Sequence, residues 1–281
     1  MQVFKTITDI SSYVNICKNE NKTIGFVPTM GALHNGHLSL IKESKKQNDI
    51  TVVSIFVNPI QFNNEQDFIK YPKNFEKDLN LLQNVNCDVV FLPTEKEIYP
   101  EPDNRVFDLG YLENIMEGKF RPGHFQGVAK VVDRLFNIVK PNNSYFGQKD
   151  FQQLAVIKRL VEITNLKINI IACPIIREEN GLAMSSRNTR LTQNQFSKAS
   201  IIFSTISKLK EFITENKFNE YSNWAKITID SESEFKTEYI EIVDTKTLKK
   251  VISPKNHKSI TCCIAVYCDE IRLIDNIQLN L

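Results

Sequence analysis

Apolar and polar positions follow two rhythms along this chain. In the first half, short and nearly continuous apolar runs rich in β-branched and aromatic residues recur at 22–27 (KTIGFV), 50–57 (ITVVSIFV), 88–92 (DVVFL), 144–146 and 168–172 (INIIA). Unbroken hydrophobicity over so few residues marks strands covered on both faces. Between them, 36–47, 75–83, 128–139 and 150–163 read as helices, and Leu154, Ile157 and Val161 in the last keep helical spacing. Such alternation predicts an α/β fold, a Rossmann-like doubly wound parallel sheet. From about residue 180 the rhythm changes. Residues 196–212 read as one amphipathic helix, and 238–243, 260–267 and 271–273 as strands of a small antiparallel sheet. The expectation is two domains, a Rossmann-like domain at 1–179 and a smaller C-terminal α+β domain at 180–281. The Lys-rich stretch 246–258 has acidic neighbours and reads as a solvated loop.

Composition narrows the classes. The 281 residues are 42% hydrophobic and 24% charged, the balance of a globular protein without long disorder. A formal net charge of +2 gives no support to a protein that coats nucleic acid or an anionic membrane. No apolar run reaches the 18 or so residues of a spanning helix. The first 22 residues lack the unbroken apolar core of a secretory leader. The cysteines, Cys17, Cys87, Cys173, Cys262, Cys263 and Cys268, form no C-x-x-C pair and no Cys/His cluster, so no zinc or other protein-held metal site is expected. They read as small buried hydrophobes in a reducing, cytoplasmic setting.

Glycine is scarce, nine residues in all, and six of them sit in segments just beyond the predicted strands. The first segment is Val27-Pro28-Thr29-Met30-Gly31-Ala32-Leu33-His34-Asn35-Gly36-His37. Pro28 is expected to end the strand and Asn35 to cap the following helix, whose free N–H groups suit an anion. His34 and His37, three apart, share a face of that turn and suit phosphate oxygens. Gln61 follows the second strand, where α/β sheets place ligands. Arg121 and His124 bring positive charge to a helix start. Gly147-Gln148-Lys149-Asp150 follows the fourth strand, with Asp150 placed as an N-cap, Lys149 for an anion and Gln153 one turn in. Past the fifth come Ile176 and then Gly181 to Asn188, where Met184, Ser185, Ser186 and Arg187 form a polyanion grip that Gly181 would make flexible. No P-loop, dinucleotide or nucleophile-elbow motif occurs. Strand-end clustering predicts one cleft at a topological switch point.

PTMGALHNGH, FVNPIQF, FRPGHFQGVA, YFGQKDFQQL and GLAMSSRN, in this order and spacing, closely resemble the pantoate–β-alanine ligase (pantothenate synthetase) family, and EYIEIVD and IRLIDN extend the match towards the C-terminus. That family belongs with the H-x-G-H nucleotidyltransferases and class I aminoacyl-tRNA synthetases, and Met184 to Arg187 resembles their K-M-S-K-S loop. The resemblance implies ATP as substrate with Mg2+ on its phosphates, pantoate and β-alanine as the other substrates, and a homodimer. It puts Met30, Gly31, Ala32, Leu33, His34, Asn35, Gly36 and His37 at the ATP site, with His34 and His37 on the phosphates and His37 as proton donor. It puts Gly147 and Asp150 on the ribose, Gln148 beside them where a Glu is often found, and Lys149 on the phosphates. The Ile176 backbone meets adenine, Met184, Ser185, Ser186 and Arg187 close over the phosphates, and Gln61 and Gln153 bind pantoate. His37, His34, Lys149 and Arg187 are thus the expected catalytic groups. Two other readings stand beside this one. A different acid-activating nucleotidyltransferase would share the ATP half of the site. A nucleotide- or RNA-binding module would need a basic stripe, which the sequence lacks.

Overall fold

A computed structural model describes residues 1–215 and 217–281. The chain divides into two compact units, residues 1–148 with 153–174, and residues 149–152 with 175–281.

The first unit holds a six-stranded sheet in the order β1-β4-β3-β2-β5-β6. The strands are β1 (Gln2–Phe4), β2 (Ile24–Thr29), β3 (Ile50–Ile55), β4 (Val89–Phe91), β5 (Asn143–Gly147) and β6 (Asn169–Cys173). Every pairing is parallel. This is the doubly wound sheet that the apolar runs predict. From β2 the chain runs outward through β3 and β4 on one side and through β5 and β6 on the other, with β1 added beside β4, so the switch point lies between β2 and β5.

Pro28 does not end its strand. β2 continues to Thr29, and Pro28 pairs in register with Ser54. The residues of β2 that face β5 are Ile24 and Phe26, whose carbonyls accept from Asn142 N and Ser144 Oγ. Pro28 shares that phase, and the β2–β5 ladder has already ended at Phe26 and Ser144. A missing N–H there forfeits no ladder bond.

One face of the sheet buries Val27, Val53, Val90 and Tyr145 against Leu38 and Ile41 of helix Asn35–Gln47 and Leu82 of helix Phe75–Asn84. On the other face Phe136, from helix His124–Val139, packs edge-on against Phe26 and Phe146 at 6.3 and 6.4 Å. Neighbouring residues of one strand thus go to opposite layers, as the pleat requires. Several elements escape the apolar pattern, among them β1 and the helix after it. β1 is three residues long, too short for any period. Helix Ile7–Asn19 is capped by Thr6, whose Oγ1 accepts from Asp9 N.

The second unit carries an antiparallel sheet in the order β7-β8-β9, with β7 Phe235–Asp244, β8 Ser259–Cys268 and β9 Ile271–Asn280. Helix Phe218–Asp230 is a further element that the sequence pattern does not separate. The expected single helix 196–212 is three segments, Gln193–Lys198, Ser200–Ser207 and Leu209–Thr214. At the junctions Ile202 N bonds back three residues to Ala199 O and Lys208 N to Thr205 O. Ser200, Ser204 and Ser207 turn their hydroxyls onto backbone carbonyls of Ser197, Ile201 and Phe203, which bends a helix.

The second unit begins at 175 rather than 180, and it takes in 149–152. Residues 176–178 pair back on 182–184, with Met184 N on Ile176 O and Glu178 N on Leu182 O, so this hairpin goes with the C-terminal part of the chain. Asn276 Nδ2 donates to Lys149 O, which fixes the 149–152 segment to β9.

All six cysteines are buried and unbridged. Burial pushes the thiols of Cys87 and Cys262 up to about 12 and those of Cys173 and Cys268 up to about 11. With all six cysteines buried, a thiolate-specific reagent at pH 8 is expected to find at most a fraction of one thiol in the native chain and six in urea. No helix among the described residues is long and apolar enough to cross a membrane.

Candidate active site

The chain leaves β2 at Thr29 and turns sharply. Gly31 and Ala32 both take left-handed backbone conformations, φ 79° and 49°. A Cβ on Gly31 would lie 2.9 Å from Asp78 Oδ2 and 3.0 Å from Ile55 Cγ2, so glycine is required on both counts. Thr29 Oγ1 donates to Ser54 O and accepts from Gly31 N. Asp78, 1% exposed, then clamps the turn from helix Phe75–Asn84, taking Ala32 N on Oδ2 at 2.9 Å and Leu33 N on Oδ1 at 2.8 Å. Burial pushes the Asp78 carboxyl upward against the pull of these two N–H groups.

His34, not Asn35, is the N-cap of helix Asn35–Gln47. The two histidines build a reciprocal capping box. His34 Nδ1 accepts from Gly36 N at 3.1 Å, and His37 Nδ1 accepts from His34 N at 3.3 Å. Asn35 would have had to stand one residue earlier to do this. An Nδ1 that accepts carries no proton, so both neutral rings are Nε2–H tautomers. The rings lie 4.1 Å apart, centroid to centroid. The sequence places two donors here. The cap fixes which nitrogen donates.

Gln61 closes a short 3-10 turn, Pro59–Gln61, after β3. Its carbonyl lies 2.7 Å from His124 Nδ1, and a carbonyl only accepts, so that nitrogen donates. His124 is 5% exposed, and its ring braces Gln61 from within the fold. Gly123, with φ 80°, precedes the helix as its cap. Gly127 lets that helix lie against the turn. A Cβ there would come within 2.4 Å of Ile60 O and 2.7 Å of Gln61 Cα. Asn58, 1% exposed, donates to both Gln61 Oε1 and Gly127 O at 3.1 Å. Gly147 ends β5 and Gln148 N bonds Cys173 O on β6. Gln153 lies in the first turn of helix Phe151–Thr164.

The remaining expected residues belong to the second unit: Lys149, Asp150, Ile176, and Met184 to Arg187. Lys149 is held through its carbonyl by Asn276. Asp150 directly precedes helix Phe151–Thr164. The Ile176 carbonyl accepts from Met184 N, which uses one of its two lone pairs. The 181–187 stretch makes several contacts within the second unit. Gly181 sits at φ 91° with Phe203 Cδ1 2.9 Å from where its Cβ would be. Arg177 donates to the Gly181 carbonyl at 3.0 Å, stacks 3.7 Å from the Phe203 ring centroid, and pairs bidentately with Asp275 at 2.6 and 3.0 Å. Asp275 is buried on β9, and burial pushes its carboxyl upward even with Arg177 beside it. Ser185 caps the 3-10 turn Ser186–Arg190, its Oγ accepting from Arg187 N, and Asn188 Nδ2 ties that turn to Ala183 O and Glu178 Oε1.

Asp78, Asn58, Asp275 and Asn276 are supporting residues that sequence reasoning missed. Two carried a signal. Asp78 lies one turn before Leu82 on the buried stripe of its helix, and Asp275 follows Ile271 and Leu273 in the inward phase of β9. A charge in an apolar phase announces a buried partner.

Known proteins of this architecture share both the sequence and the fold. A family model described as pantoate-β-alanine ligase matches residues 2–278. A pantothenate synthetase of Azobacteroides pseudotrichonymphae genomovar. CFP2 is 49% identical over 278 residues, covering 99% of each chain. One of Flavobacterium psychrophilum is 46% identical over 282 residues, covering 100% of each. The crystal structure of pantothenate synthetase from Thermus thermophilus matches with a TM-score of 0.92 at 36% identity over 99% of both chains. A pantoate-β-alanine ligase from Francisella tularensis, crystallised with beta-gamma ATP and β-alanine, matches with a TM-score of 0.82 at 40% identity over 99% of this chain and 97% of that one. Agreement of this extent, on top of motifs that run from the β2 turn to β9, means that the chain belongs to the pantoate–β-alanine ligase family.

Proposed function

We propose that this chain, an enzyme that ligates pantoate to β-alanine with ATP, does so through a bound pantoyl adenylate. A pantoate carboxylate oxygen attacks the α-phosphorus. The bond to the bridging oxygen of the β-phosphate breaks, and pyrophosphate leaves. The β-alanine amine then attacks the acyl carbon, sheds a proton, and expels AMP from the acyl–oxygen bond. Neither step needs a protein nucleophile. The first brings a carboxylate onto a polyanion, so positioning and charge neutralisation are what the protein must supply.

The observation that carries this reading is the reciprocal histidine cap at the carboxyl end of β2, beside the switch point. It sets the donor nitrogen of two imidazoles next to the N–H groups of a helix start, an arrangement suited to phosphate oxygens. Gln61, braced by His124 and Asn58 in the same unit, takes pantoate, with Gln153. Gly147, Gln148 and Asp150 take the ribose, the Ile176 backbone adenine, and Met184, Ser185, Ser186, Arg187 and Lys149 the phosphates. In this reading the 181–187 stretch shields the adenylate from water.

Mg2+ enters as part of the substrate. No group of three or more His, Cys, Asp or Glu side chains able to hold an ion occurs among the described residues, and Asp78 commits both oxygens to backbone N–H groups. The cation thus fits as a partner of the nucleotide phosphates, where it supplies further charge neutralisation.

The test is AMP and pantothenate formation with ATP, pantoate and β-alanine, omitting each in turn. All three are required. AMP formed at full rate without pantoate would refute the assignment. Gly127→Ala is expected to raise the KM for pantoate at least about tenfold while leaving that for ATP near its starting value, because backbone at Ile60 and Gln61 must shift to admit the methyl group.

A further inference from the structure

The amide of Gln61 can be turned either way, and the network around it allows only one. Asn58 faces the Gly127 carbonyl, which only accepts, so the Asn58 nitrogen is at that end. The same nitrogen donates to Gln61, so the atom of Gln61 it meets is Oε1. The opposite end of Asn58, Oδ1, accepts from the Tyr99 hydroxyl at 3.0 Å. The NH2 end of Gln61 is thereby turned to the Met30 thioether, 2.8 Å away and a weak acceptor. Tyr99 is itself fixed. Its ring packs on Phe56 and lies 5.1 Å from the guanidinium carbon of Arg134, which Asp103 and the Ile98 carbonyl hold in place.

We propose that Tyr99 is a positioning residue: it anchors Asn58, whose amide the Gly127 carbonyl orients, and so holds the Gln61 amide in place with NH2 towards Met30, where Gln61 recognises a hydrogen-bond acceptor oxygen of the substrate. The inference rests on the assignment of Gln61 to pantoate and adds the polarity of that contact and a residue that steadies it. With the tyrosine hydroxyl gone, Asn58 Oδ1 is a buried acceptor without its donor, and the amide pair loses one of the bonds that hold it. Burial pushes the Tyr99 phenol above its ordinary value, so it remains a donor across the working pH range.

Tyr99→Phe removes one oxygen and keeps the ring contacts. Steady-state kinetics of Tyr99→Phe, Gln61→Ala and the double variant, with thermal unfolding of each, test the idea. The expected result is a pantoate KM raised about tenfold by Tyr99→Phe, with kcat and the ATP KM nearly unchanged and the melting temperature lowered by only a few degrees. In the Gln61→Ala background the same substitution adds nothing further. A pantoate KM within twofold for Tyr99→Phe, when Gln61→Ala raises it strongly, overturns the proposal and leaves the Gln61 assignment standing. An unmoved pantoate KM in Gln61→Ala overturns both. A general fall in stability and in every kinetic constant would reduce Tyr99 to a packing residue and also overturn the proposal.

Discussion

Pantoate-dependent pyrophosphate release falls by at least about a hundredfold when His37 or Lys149 is replaced by alanine. In the proposed mechanism each substitution removes one preorganised donor from the charge that builds on the transferring phosphate, and the loss of such a donor raises the barrier by roughly 3 kcal/mol. The histidine has a second duty that must be separated from the first. His37 Nδ1 accepts the His34 backbone N–H, so alanine also loosens the start of helix Asn35–Gln47 by about 1 kcal/mol. His37→Gln separates the two, because glutamine at the third helical position can return the same cap bond but offers no imidazole. Glutamine is expected to restore the melting temperature and leave the rate low. Near-normal rates in His37→Ala and Lys149→Ala would remove both residues from the chemistry.

The largest expected loss of stability comes from Asp275→Ala. It leaves the Arg177 guanidinium, which also serves the Gly181 carbonyl and stacks on Phe203, without its buried counter-charge. Breaking a buried pair from one side costs about 3–5 kcal/mol. The chain has one tryptophan, Trp224, which packs in the second unit's core against Phe212 at 4.8 Å and Tyr221 at 6.0 Å. Its fluorescence reports that unit directly. Urea unfolding followed at Trp224 is expected to shift to markedly lower denaturant in Asp275→Ala. A midpoint within about 0.3 M of the parent would correspond to less than 1 kcal/mol and would contradict the role given to the pair.

The parts of this fold that show in the sequence are those where one period dominates. β2, β3 and β4 are buried on both faces, so their apolar runs are unbroken and stand out. The two histidines stand out because a helix start after a first strand is a poor place for them unless they bind something. What stays hidden depends on partners distant in the chain. Pro28 reads as a strand end, and only the opening of the β2–β5 ladder explains why it is not one. Asn35 is a good N-cap by propensity, yet His34 takes the position because His37 can answer it three residues on. Gly181 stands out as a glycine, and only the structure shows Phe203 and Arg177 packed around it. Gln61 is visible by its place after β3, but the direction of its amide is set by Asn58 in the same loop and, through it, by the Gly127 carbonyl from another segment.

The account turns on the pantoate carboxylate becoming bonded to the α-phosphorus before β-alanine reacts. Pantoate labelled with 18O in both carboxylate oxygens, turned over with ATP and β-alanine and followed by mass spectrometry of the products, reads that bond directly. One labelled oxygen in each AMP, and none in pyrophosphate, is the predicted result. Unlabelled AMP, or label in pyrophosphate, would contradict it.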